Sequence, residues 1–221
     1  MLFPLVSAVL CAGCTAAETT SLDRFASNGR VIAMSGAEAG ASNACFTCHG
    51  LDGQGDGAGA PRLAGLDAGY LERQLEAYAD GRRSHLQMGW IARQLSAGER
   101  KAVAFHYAAL PVSPNPDRTI TRLPFYHRGD ASRGLPACAA CHGRQGQGIG
   151  PANPPIAGQP APYLAGQLER WRKAKRRNDP GDVMLRISQR LTPAEVRALA
   201  DYAAALPGGP PSPVSPAASR A

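Results

Sequence analysis

The chain has 221 residues, 44% of them hydrophobic but only 6% aromatic, with 25 glycines and 19 prolines. That length suits two domains of about 100 residues each, and so few rings leave room for a bound organic group to complete the core. The net charge of +7 is uneven, with residues 21–110 neutral and residues 111–221 holding fifteen basic against seven acidic side chains, so the basic half suggests an acidic partner, nucleic acid or anionic lipid.

Residues 1–17, MLFPLVSAVLCAGCTAA, are apolar and uncharged and read as a signal peptide. A membrane span needs about 20 apolar residues, more than this segment offers. The stretch CAGC ends like a bacterial lipoprotein signal, which would leave Cys14 lipidated. Against that, Cys11 stands where leucine is usual, and cleavage after Ala16 or Ala17 is the other reading. Both readings send the protein to the periplasm, membrane-attached in the first case and free in the second, where nucleic acid is not an expected partner.

Residues 22–110 form the first domain. A short helix ends in NACFTCHG, and the loop GLDGQGDGAGAP follows. The middle helix is AGYLERQLEAYADG, and Met88 and Ile91 come after it. A last helix opens with a capping box, Ser96-x-x-Glu99, and carries an apolar stripe of Val103, His106 and Leu110. Residues 111–126 are a proline-rich linker. Residues 127–207 repeat the plan, with PACAACHG, Pro154, the helix APYLAGQLERWRKAK, Met184 and the box Thr192-Pro193-x-Glu195. The two copies align at an offset of 93 that becomes 96 after Trp171. Residues 208–221 are rich in Pro, Ser and Ala and read as a disordered tail. No stretch alternates as a strand would, so the class is all-α.

The chemistry sits in the two C-x-x-C-H motifs, Cys45, Cys48 and His49 in one copy and Cys138, Cys141 and His142 in the other. Such a motif can be a redox dithiol, half of a zinc site or a haem anchor. On a helix the cysteines at i and i+3 and the histidine at i+4 share one face, so both sulfurs can bond one haem while the imidazole reaches its iron. A thioredoxin-type dithiol would need a βαβ setting, and zinc a second ligand pair in the same repeat; neither is present. Two covalently bound haem c groups are therefore expected, with His49 and His142 as iron ligands. Met88 and Met184 occupy equivalent repeat positions, 39 and 42 residues after those histidines, and are the expected sixth ligands. His85, three residues from Met88 in a loop, is the competitor for that place, while His106 reads as an interface residue and His127 as another loop histidine. Ligand histidines donate their other N–H to an acceptor, and the carbonyls of Pro61 and Pro154, each twelve residues on in P-x-[LI]-x-G, are the candidates.

These motifs, with Y-L-x-x-Q-L and M-x-x-I-[AS], resemble class I cytochrome c domains, and the tandem arrangement over roughly residues 30–207 resembles the dihaem cytochrome c4 family. The resemblance implies two all-α domains about a pseudo-twofold with the haems near their interface, His49/Met88 and His142/Met184 as axial pairs, and periplasmic electron transfer toward a terminal oxidase. A cytochrome subunit bound to a dehydrogenase, as in flavocytochrome sulfide dehydrogenase, is the alternative; a dihaem peroxidase is disfavoured by the paired methionines. Met/His ligation raises the reduction potential, and the positive second domain is expected to hold the higher of the two. The basic run WRKAKRR, residues 171–177, is either a docking patch for an acidic redox partner or a solvated helix end near haem propionates.

Overall fold

A computed structural model describes residues 21–112, 121–150 and 152–207. The expected signal segment with Cys11 and Cys14, most of the expected linker and the expected tail lie outside the described residues. Among the described residues there are ten α-helices and no strand beyond three isolated bridges. The first repeat holds α1 (Ser21–Ser35), α2 (Phe46–His49), α3 (Ala68–Ala79), α4 (Leu86–Gln94) and α5 (Ala97–Ala109). The second holds α6 (Pro124–Arg128), α7 (Cys138–His142), α8 (Ala161–Arg172), α9 (Val183–Gln189) and α10 (Pro193–Ala205).

Each repeat closes its own core. Ile32, Ala33, Leu71, Val103 and Tyr107 anchor the first, and Tyr126, Leu135, Val196, Leu199 and Tyr202 the second. Both expected capping boxes form: the Ser96 and Thr192 hydroxyls accept from the N–H of Glu99 and Glu195, whose carboxylates accept from the N–H of Ser96 and Thr192. These fix where α5 and α10 begin.

Three features differ from the sequence reading. The linker, expected over residues 111–126, stops short of Pro124, because proline at the first helical position opens α6 and the Tyr126 ring, 1% exposed, is needed inside the second core. The methionine segments, to which the sequence reading gave no element, are helices, α4 and α9. The offset of 93 runs past Trp171 as far as Arg83 and Arg176, which pair in an antiparallel bridge, so the three extra residues fall between Arg176 and Met184.

The repeats meet along α3, α8 and the turns after them. Ser84 N–H donates to Lys175 O (3.2 Å), and Arg177 N–H to Arg82 O (2.8 Å). On another part of the boundary, Gln159 reciprocates with the Arg62 backbone, accepting from its N–H (3.0 Å) and donating to its carbonyl (2.9 Å). No helix among the described residues is long and apolar enough to cross a membrane.

Candidate haem sites

The two C-x-x-C-H segments are built alike. In the first, the His49 N–H bonds Cys45 O (2.9 Å), which places the second sulfur and the imidazole one turn on from the first cysteine. The helix then ends at Gly50 with φ 78°, and α7 ends at Gly143 with φ 82°, a backbone that a side chain would strain. The loop folds back on itself: Gly55 N–H bonds His49 O (2.8 Å), and Leu63 and Ala64 N–H both bond Gly53 O (2.8 and 3.0 Å). In the second repeat Gly148 bonds His142 O (2.9 Å), and Ile156 and Ala157 bond Gly146 O (2.9 and 3.0 Å). These returns bring one proline carbonyl under each imidazole. His49 Nδ1 lies 2.9 Å from Pro61 O, and His142 Nδ1 lies 2.9 Å from Pro154 O.

That bond decides the chemistry of the ring. A carbonyl only accepts, so Nδ1 carries the proton and Nε2 keeps a free lone pair. Burial pushes both imidazoles below the ordinary histidine pKa and keeps them neutral, as a metal ligand must be. Burial also pushes the Cys45 and Cys138 thiols up to about 11. A redox dithiol needs a depressed pKa, so the electrostatics oppose that role. Among the described residues no three His, Cys, Asp or Glu side chains converge as a zinc site would require.

A cavity of about 480 Å³ is lined by Cys45, Cys48, His49, Pro61 and Met88, and one of about 120 Å³ by Cys138, His142, Pro154 and Met184. The first lies within the range of cofactor sites. The first thus brings together two thiols, a neutral imidazole with its lone pair available, and a thioether, the donor set that haem c takes. The second brings together the Cys138 thiol, the imidazole and the thioether, with Cys141 exposed on the same short helix and outside the cavity wall. Tyr70, Tyr163 and Gln167 line both cavities, so the two sites share walls at the domain boundary.

The methionines are positioned by different devices. His85 is the N-cap of α4, and its Nδ1 accepts the Met88 N–H (3.2 Å). The ring read as a loop histidine therefore organises the methionine helix. Asp179 does that work in the second repeat, accepting from the Met184 N–H (2.7 Å) and from Trp171 Nε1–H (2.8 Å). His106 is buried in α5 where α1 crosses it, since a Cβ on Gly29 would come within 2.8 Å of its Cβ. His127, also read as a loop residue, lies in α6 and its Nε2 is 2.7 Å from Tyr202 Oη.

Residues 33–104 and 132–206 match the cytochrome c family. The chain belongs to that family. It is a dihaem cytochrome of the cytochrome c4 type, with two tandem class I domains. It is 33% identical over 164 residues to a cytochrome c4 from Pseudomonas aeruginosa, covering 72% of this chain and 81% of that one. It is 42% identical over 199 residues to a thiosulfate dehydrogenase electron acceptor from Stutzerimonas stutzeri, covering 85% of this chain and 90% of the relative. The structure of a thiosulfate dehydrogenase from Marichromatium purpuratum in its as-isolated form superposes with a TM-score of 0.72 at 38% identity, over 81% of this chain and 40% of that one. The cytochrome therefore spans about two fifths of that protein's length. It carries two covalently attached haem c groups and acts in electron transfer, not as a catalyst.

Proposed function

We propose that this cytochrome accepts single electrons from a thiosulfate dehydrogenase in the bacterial periplasm and passes them on, with one haem in each repeat. The observation that carries the electron-transfer role is the repeated cavity, in which a motif cysteine, a carbonyl-bound imidazole and a methionine converge twice. The likeness to the Stutzerimonas stutzeri acceptor supports the choice of donor, and the apolar N-terminal segment supports the compartment.

Cys45, Cys48, Cys138 and Cys141 are the haem attachments, and His49/Met88 and His142/Met184 the axial pairs. Bound in this way, haem iron supplies a one-electron couple that the soft thioether shifts toward Fe(II). Pro61 and Pro154 hold each imidazole in one tautomer and orientation. With haem bound, Met88 and Met184 would supply the second protein ligand of each iron and would leave no open position for a substrate.

The basic run 171–177 is narrower as a docking surface than its composition suggests. Arg176 is buried between the repeats and Arg172 is half-buried against Glu169, which leaves Lys173, Lys175 and Arg177 toward solvent. Lys173→Glu with Lys175→Glu should slow electron transfer from an acidic donor at low salt and flatten its salt dependence; unchanged rates discard the patch.

The test of the donor mixes oxidised holoprotein anaerobically with a thiosulfate dehydrogenase and thiosulfate. Reduction of both haems that needs the enzyme supports the proposal. Its absence, with oxidation by a terminal oxidase intact, returns the protein to a general respiratory shuttle. Met88→Ala and Met184→Ala should each remove half of the far-red methionine-to-iron band, and an unchanged band would reject the axial assignment. Attachment to the membrane through a lipidated Cys14 predicts a lipid-sized mass increment on the mature chain.

A further inference from the structure

The second repeat has an open groove of about 650 Å³ outside both haem cavities, lined by Arg122, His127, Arg144, Gln147, Tyr202 and Leu206. Separate segments converge on it: the chain entering α6, α6 itself, the loop after C-x-x-C-H and the end of α10. Tyr202 and Leu206 belong to the second core and give the groove an apolar wall. Its rim is positive. Arg122 and Arg144 are exposed, and neither has a carboxylate partner among the described residues. His127 Nε2 lies 2.7 Å from Tyr202 Oη, and His127 Nδ1 is buried with no hydrogen-bond partner among the described residues. Burial, and after it the charges of Arg122 and Arg144, hold this imidazole below the ordinary histidine pKa, so both guanidinium groups are felt at the ring.

The shared fold does not demand this cluster. Positions 29, 34 and 51, which align with Arg122, His127 and Arg144, are glycine, methionine and leucine. Like charges gathered at one concave site repel each other, and a bound anion offsets that repulsion. Guanidinium forks match the paired oxygens of an oxyanion. Where the Tyr202 hydroxyl donates to Nε2, Nδ1 carries a proton that has no acceptor of its own.

The groove also adjoins the loop that orients the second ligand histidine. Arg144 follows His142 by two residues, and Gly148 N–H bonds His142 O at 2.9 Å. The Tyr202 ring centre lies 5.1 Å from that of Tyr126, whose hydroxyl donates to Gly143 O at 2.8 Å. A charge placed here acts on the second site at closer range than on the first.

We propose that the groove of Arg122, His127 and Arg144 binds one small divalent oxyanion, of the sulfate and thiosulfate kind, and makes the second haem's potential depend on it. The binding is independent of the electron donor proposed above; the choice of responding haem rests on the haem placement given there. A negative charge near the Met184 site favours Fe(III), so the bound anion lowers that potential. By reciprocity the oxidised protein holds the anion more tightly than the reduced protein does.

The test uses the two-haem holoprotein, with Arg122→Gln, Arg144→Gln and the double variant beside it, at an ionic strength held constant with sodium chloride. Calorimetry with sodium sulfate and sodium thiosulfate should show saturable binding at one site per chain, and Arg144→Gln should weaken it about tenfold. Tighter binding of thiosulfate than of sulfate assigns the groove to the substrate of the proposed donor, and equal binding assigns it to divalent oxyanions in general. On the same samples, saturation should lower the wave that Met184→Ala removes and leave the other in place, and the double variant should abolish the shift. Equal movement of both waves overturns the coupling to the second haem while leaving the binding intact. Binding that survives both substitutions places the anion elsewhere and overturns the site. No saturable binding of either anion overturns the proposal outright; slower reduction of the double variant by a thiosulfate dehydrogenase would then make the groove a contact for an acidic side chain of that partner.

Discussion

At the scale of single residues, the two cores solve one packing problem from opposite sides. Ala33 and Tyr107 in the first repeat correspond to Tyr126 and Ala203 in the second. Each repeat thus has one buried ring near the first cysteine of its motif, carried by the last helix in one case and by the first in the other. The rings differ in their hydroxyls. Tyr126 donates to Gly143 O at 2.8 Å, whereas Tyr107 Oη is buried with no hydrogen-bond partner. Tyr126→Phe should therefore cost about 1 kcal/mol, while Tyr107→Phe should cost nothing or stabilise. Denaturant unfolding of the two holoproteins checks this, and equal losses would show that the Tyr107 hydroxyl is satisfied after all. The swap also marks the limit of reading the sequence. Cys45, His49, Pro61 and their counterparts were visible because covalent and metal chemistry fixes residue type and spacing. A size exchange between distant helices was not, because only the sum of the two volumes is constrained.

At the scale of elements, the legible helices were those the sequence marks: α5 and α10 with capping boxes and an apolar stripe, α2 and α7 with the C-x-x-C-H motif, and α3 and α8 as matching segments of the repeat. The helix α1 was missed because its contact with α5 depends on a glycine rather than on an apolar stripe. A Cβ on Gly29 would fall on the Ala102 carbonyl, backbone that cannot turn aside. Alanine in a helix is favoured over glycine by up to about 1 kcal/mol, but overpacking costs about 1–3 kcal/mol. The clash wins, so Gly29→Ala should destabilise. Gly98→Ala, which meets open space in α5, should gain about 0.5 kcal/mol. Thermal melts of the pair read the difference, and a stabilised Gly29→Ala would mean that α1 does not sit against α5.

The same scale sets a pH response. Arg133 joins Asp130 (2.7 Å) to Glu195 (2.5 Å), the capping residue of α10. Hydrogen bonds from Ser132 and Arg133 lower the Asp130 carboxyl to about 2, and the bond from Arg133 lowers Glu195 to about 2. Folded-state values below the unfolded ones mean that stability is present above about pH 4.5 and is lost as the pH falls toward 2. Position 40, which aligns with Arg133, is glycine, so the first repeat has no such tie. Acid should loosen α10 before α5, and Arg133→Gln should flatten the second repeat's response. Hydrogen exchange of the two helices between pH 5 and pH 2.5 measures it; equal protection would refute the asymmetry.

For the whole molecule, the boundary between repeats is also where the haem loops are set. Arg62 follows Pro61, and its backbone is held by Gln159 while its guanidinium donates to Ala157 O at 3.3 Å. Docking of the repeats thus bears on the loop that orients His49. Gln159→Ala should shift the first haem's potential and separate unfolding into two steps; one cooperative transition with unchanged potentials would count against it. The charge surplus of the second repeat favours electrons resting there, so the higher wave should belong to the Met184 site, as spectroelectrochemistry of Met184→Ala would reveal by removing it.

The turn pairing of Arg82 and Ser84 with Arg177 and Lys175 has a consequence for assembly. Equivalent segments meet each other across the pseudo-twofold: Gln74 faces Arg176 as Gln167 faces Arg83. A surface of that kind is self-complementary, the property that makes isologous dimers close. Each half is in effect a protomer whose partner happens to be tethered. Severed in the linker, the halves would keep these paired contacts, whereas two copies of the first half would lack the bonds of Gln159 to the Arg62 backbone, because Leu66 stands at the equivalent position.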